Sequence, residues 1–217
     1  MKLSSMLNRI IYTLRAQVFL QFFIVYLRYL IGGAFVIAVF GMGKLGLNSE
    51  LLAQEKINNS LVNFPAFASF VNAPIYWNFI GWSQLLAGCL LITQRYARIG
   101  ALLFLPIITN IFVLTFAYQF KGTVYITALM LLANLLLVAW EWPFLSGLFL
   151  SGQQAVNINV VESKVEHKAF WTYLGILLFV FLVLSSLFIP NILLQLAGAF
   201  FIGLAGFTVF LLFSKLR

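Results

Sequence analysis

The chain has 217 residues, 63% of them hydrophobic and 8% charged, with a mean hydropathy of +1.05. Soluble domains carry about a quarter charged residues, and thirteen Lys and Arg with five Asp and Glu cannot cover a water-facing surface of this size. That excludes secreted, disordered, fibrous and ordinary cytosolic proteins and leaves a membrane protein. One cysteine and one histidine build neither a Cys/His metal cluster nor an internal dithiol couple, so no metal is expected. The net charge of +8 sits on single residues between apolar stretches, which argues against nucleic acid as a partner.

In chain order, residues 3 to 18 put Leu3, Leu7, Ile10, Ile11, Leu14 and Val18 on one helical stripe opposite Asn8, Arg9 and Arg15. This predicts an amphipathic interfacial helix over 1–25. No signal-peptide cleavage pattern follows it. The first span is predicted from Arg28 to Leu45, with Arg28 and Lys44 snorkelling to opposite headgroup layers. Residues 46 to 75 carry Glu50, Glu55, Lys56, Pro65 and Pro74 and read as an extramembrane loop.

Spans are expected at 76–94, 98–119 and 122–140, each close to the roughly 20 residues that cross the hydrocarbon. Trp140 and Trp142 suit an interfacial belt around Glu141. A charged cytoplasmic linker over 143–168 holds His167, read as solvated, and two further spans at 169–188 and 192–213 form a hairpin over 169–217. The expected fold is an all-α membrane protein with six transmembrane helices. Placing the N-terminus inside puts ten of the thirteen Lys and Arg residues on the cytoplasmic side, so both termini are expected there.

Close helix packing in lipid needs small residues at the contact. Ala34, Ala38 and Gly41 supply them on the first span, and Ala199, Gly203 and Gly206 on the last. Internal packing is the expected use, with a homodimer face as the rival. Polar residues inside spans carry the functional signal, because they are costly there. Counted from the outer ends, Gln84 lies about 12 Å deep, Asn110 about 13 to 14 Å and Asn134 about 20 Å. Pro106 removes a backbone donor and leaves the Leu102 carbonyl without its usual partner, which opens space beside Thr109 and Asn110. The candidate ligand site is therefore Gln84, Thr109, Asn110 and Asn134, with Lys44 and Lys121 at its outer rim. Interhelical hydrogen bonding with no ligand is the competing reading. Arg28, Arg95 and Arg98 read as interface anchors, Cys89 as a small packing residue, and Glu141 as an anchor or, less favoured, a proton-relay carboxylate. No catalytic constellation appears in the sequence.

Three segments carry a family resemblance: Arg28 to Leu45 with its GMGKL end, GWSQLLAGCLLITQRYARIGALLFLPIITNIF from Gly81 to Phe112, and FKGT from Phe120 to Thr123. Together they make residues 26–142 resemble the DoxX-like family of small bacterial membrane proteins. The resemblance implies a four-helix transmembrane core in a bacterial inner membrane and an association with quinone-linked or thiol-stress redox complexes. Many members have glutamate where this chain has Gln84, so a proton-coupled role does not carry over. The function expected is a non-catalytic subunit that binds a quinone or another lipophilic molecule, with quinone as the candidate cofactor and the bilayer and a membrane-protein partner as neighbours. The rivals are a scaffold docking a partner through its C-terminal hairpin and a quinone-linked oxidoreductase. A transporter fits less well, since the chain shows no internal repeat.

Overall fold

The computed structural model describes residues 11–45, 73–119, 122–149, 169–189 and 191–215. The helices are α1 Val18–Gly41, α2 Pro74–Ile92, α3 Ala97–Ala117, α4 Thr123–Trp140, α5 Trp142–Phe149, α6 Ala169–Phe188 and α7 Ile192–Lys215. All but α5 are long and apolar enough to cross a membrane, six candidate spans among the described residues. The chain is thus an all-helical, multi-pass membrane protein in contact with the bilayer. The expected loop before Ala73, residues 150–168 of the linker expected over 143–168, with His167, and Lys121 lie outside the described residues, and the first residues of that linker, 143–149, are helical in α5.

The first span begins ten residues earlier than expected. Residues 11–15 are helical, the chain turns at Ala16 and Gln17, and α1 then runs unbroken from Val18 through Arg28 to Gly41. The apolar run from Val18 to Leu27 propagates the helix, and Arg28 is tolerated inside it because it is paired rather than snorkelling. Ala16 and Gln17 also separate Arg15 from the span proper, so the helix expected over 1–25 is interrupted there; its residues 1–10 lie outside the described residues.

Helix α1 is the central element. It packs on α2 and α6 and touches α4, while α3 packs between α2 and α4, and α7 on α6. Two apolar cores lie on its opposite sides. One joins Ile24, Ile31 and Phe35 to Ala87, Leu91, Phe104, Ile108 and Leu137 of α2, α3 and α4. The other joins Val25, Tyr29, Val36 and Ile37 to Trp171, Leu174, Leu178, Leu182 and Phe210 of α6 and α7. The hairpin is thus appended to one side of α1. The Tyr26 hydroxyl donates to the Gly203 carbonyl at 2.9 Å and the Tyr29 hydroxyl to the Trp171 carbonyl, so each reaches a helix that would otherwise meet α1 through apolar contact alone.

The helices approach closely through small residues, though on α1 these are not the ones expected. A Cβ on Gly32 would stand 2.8 Å from the Gly88 carbonyl oxygen, and one on Gly88 would stand 2.9 Å from that of Gly32, so these two glycines set the α1–α2 spacing. Gly41 faces open space, and Ala34 and Ala38 are only part-buried. On α7 the expected stripe is used, with Gly203 against Tyr26 and Gly206 against Leu174.

Gly175 of α6 abuts the Ile92 backbone carbonyl, a group that cannot rotate away as a side chain can. Gly175→Ala should therefore lower stability by about 1–3 kcal/mol through overpacking. Gly41→Ala, with nothing within 4 Å, should leave it unchanged or slightly raised. Thermal unfolding of the two variants in detergent, read as the shift in midpoint, checks the contrast.

Candidate functional site

Two buried polar constellations lie at different levels of the bundle. The first forms where α1 ends. The chain turns at Met42 and Gly43, with the Lys44 amide donating to the Val39 carbonyl at 2.9 Å, and the Lys44 side chain folds back against α2. Its Nζ donates to Gln84 Oε1 at 2.6 Å and lies 5.1 Å from the centroid of the Trp77 ring. The Trp77 indole N–H donates to the Gly43 carbonyl at 3.2 Å, which fixes the ring beneath the amine. Gly81 makes room, since a Cβ there would stand 2.9 Å from that of Lys44.

Lys44 is 5% exposed and Gln84 1%. Gln84 is ten residues along α2 from Pro74 and eight from Ile92, roughly 15 Å and 12 Å from its two ends. The amine therefore lies between the levels of Trp77, three residues into α2, and Gln84, ten residues in. Burial pushes the Lys44 ammonium down, to about 8. Its two neighbours, an amide oxygen and an indole face, help a cation without neutralising it.

The expected convergence of three amides is not formed. Asn134 is fully buried, but its Nδ2 donates to the Ala101 carbonyl of α3 at 3.1 Å, and its Oδ1 has no hydrogen-bond partner among the described residues. Asn110 and Thr109 face outward, and the Thr109 hydroxyl donates to the Leu105 carbonyl at 2.7 Å. The reason is helical phase. Gly100, Ala101, Phe104 and Ile108 define the buried face of α3, and residues one and two positions beyond Ile108 are turned about 100° and 200° away from it. The helix also continues unbroken through Pro106. Lys44 and Gln84 are the expected site residues brought together, and Lys121 lies outside the described residues.

The second constellation centres on Glu141, the C-cap of α4. Its Oε1 accepts from Arg28 Nη2 at 2.9 Å, and its Oε2 accepts from Arg98 Nε at 2.8 Å and Arg15 Nη2 at 3.3 Å. Arg15 also donates through Nε to the Trp140 carbonyl at 3.1 Å. Arg28 Nη1 donates to Gln94 Oε1 at 3.0 Å, and Gln94 Nε2 donates to the Val25 carbonyl at 3.1 Å. Gln94 holds that position with φ of 59°, a left-handed conformation uncommon outside glycine, in the turn between α2 and α3.

One carboxylate thus joins the stretch before α1, α1 itself, the start of α3 and the end of α4. Glu141 is the one acidic residue among those described. Reading these groups as separate interface anchors missed the cluster. The signal was available, since the predicted topology already put Arg28, the Arg95–Arg98 turn and Glu141 at one end of the bundle, and a lone acid beside several arginines is a pairing.

No protein-family model matches the chain, and no solved structure does. A region of 72 residues, 33% of the chain, is 35% identical to YwoB of Bacillus subtilis (strain 168), a protein described as uncharacterized. That region spans 47% of the relative, so the chain matches about half of that protein's length.

Two outcomes follow from these geometries. Glu141→Gln leaves buried guanidinium groups without their counter-charge and should cost about 3–5 kcal/mol, seen as a large drop in the unfolding midpoint or as loss of folded protein in fluorescence-detected size exclusion. For Lys44, the unfolded chain holds its proton up to about 10.5 and the folded chain only to about 8. The unfolded state therefore binds more protons between those values, and stability rises with pH through that window. Thermal midpoints of the wild type relative to Lys44→Met should be level below pH 8 and climb from 8 to 10.5.

Proposed function

We propose that this protein is a non-catalytic membrane subunit that binds a quinone, or another lipophilic molecule with a carbonyl head, at the Lys44–Gln84 pair. The observation that carries the reading is a buried amine packed against a membrane-spanning helix, with an amide oxygen and an indole ring as its neighbours. An ammonium group has three donors, and Gln84 uses one of them. A quinone carbonyl is an acceptor that could take another, while its ring matches the Trp77 face. Buried amines so placed are expensive and point to a site.

The reading includes the resemblance to the DoxX-like family over residues 26–142 and, with it, a redox-associated complex in a bacterial inner membrane with both termini cytoplasmic. Asn110, Thr109 and Asn134 have no part in the site as now drawn. Ligand contact falls on Lys44, Gln84 and Trp77.

The test is saturable quenching of tryptophan fluorescence in the purified full chain by a short-chain quinone. Lys44→Met and Gln84→Leu are each expected to weaken binding about tenfold or more, the equivalent of one charge-assisted hydrogen bond. Asn110→Leu should bind as the wild type does. Quenching that does not saturate, or equal affinity in all four proteins, overturns the reading.

A further inference from the structure

The arginine end of the bundle carries a second polar cluster, distinct from the Lys44 site. Within the Glu141 cluster, Arg15 and Arg28 are buried, whereas the Arg98 side chain is 41% exposed. Arg98 is committed through Nε alone, to Glu141 Oε2 at 2.8 Å. Its guanidinium stacks on the Phe144 ring at 3.5 Å from the centroid, so its plane is set from two directions. The terminal Nη groups are left as a fixed pair of donors, the fork that matches phosphate oxygens. Glu141 already receives three guanidinium groups and has no further charge to give.

Arg95, exposed in the turn three residues earlier, brings a second cation to the same corner, its guanidinium 5.6 Å from the Tyr96 ring centroid. Tyr96 is itself exposed, as are Ile99, Leu102 and Leu103 in the next two turns of α3. Two cations flanking an aromatic ring, then an apolar stripe, follow one another along a single helix start. That is the order of a phospholipid entered from its headgroup.

We propose that Arg98 and Arg95 bind the phosphate of an anionic phospholipid, with Glu141 and Phe144 holding Arg98 in its binding orientation and the outer face of α3 receiving the acyl chains. Free phosphate shares the headgroup chemistry but makes no use of Ile99, Leu102 and Leu103, which is why the lipid is the assigned ligand. The assignment does not depend on the quinone reading, because the two sites share no residue.

The experiment measures the thermal midpoint of the full chain in detergent with added phosphatidylglycerol, phosphatidylcholine or inorganic phosphate, together with native mass spectra of retained lipid. Phosphatidylglycerol is expected to raise the midpoint and to stay bound, with phosphatidylcholine and inorganic phosphate well behind. Arg98→Gln and Arg95→Gln should each reduce the apparent lipid affinity roughly fivefold, as loss of one cation at an anionic surface does. Arg95 makes no contact with Glu141, so Arg95→Gln alone decides the matter if Arg98→Gln does not fold. Equal effects of the two lipids, or undiminished phosphatidylglycerol binding by Arg95→Gln, overturn the site. A midpoint rise with inorganic phosphate matching that with lipid overturns the lipid assignment.

Discussion

A single carboxylate organises the arginine end of this bundle. Desolvating an ion costs several kcal/mol, and the cost is offset only where good geometry and further hydrogen bonds surround the pair. Glu141 meets that condition with a bond to each of three guanidinium groups, while Trp140 and Gln94 take up other donors of Arg15 and Arg28. Because the arginines come from different segments, the electrostatic requirement is also a positional one. Arg28 can sit within a membrane helix only if α4 ends beside it and the α2–α3 turn presents Gln94.

The apolar part of the fold follows from α1 having neighbours on two of its faces, while Phe19, Phe23 and Leu30 stay exposed on a third. Phe35 and Val36 are adjacent in sequence yet belong to different cores, because successive residues on a helix point about 100° apart. Gly32 and Gly88 then let α1 and α2 come within backbone contact, which brings Lys44 beside Gly81 with its amine in reach of Gln84. The polar pair is thus a product of close packing higher up the same two helices. Helix α7, by contrast, is largely exposed along its length, as befits an outermost helix with lipid as its solvent.

Much of this was legible in the sequence. Long apolar stretches with charged punctuation located α2, α3, α4, α6 and α7 to within a few residues, because length and hydropathy are set by the bilayer. The start of α1 was misplaced because Arg28 looked like an anchor, and an anchor and a buried partner are the same letter until the acid opposite is known. Depth along a helix was readable, so Gln84 was found to lie mid-span. Azimuth was not readable for Asn110, since α3 is apolar on every side and its hydrophobic pattern does not say which face turns inward. The Lys44–Gln84 contact was not legible, because nothing in the local sequence shows that the chain turns back after Gly41.

The separation of Arg28 from Glu141 by 113 residues has a bearing on biogenesis. Membrane helices enter the bilayer in order of synthesis, so α1 arrives well before the acid that answers its arginine. Until α4 is complete, that guanidinium has to rely on water, headgroups or the insertion machinery. Final seating of the first helix therefore waits for the fourth, and a nascent chain halted between them would be an incomplete electrostatic circuit, ready for quality-control proteases to find.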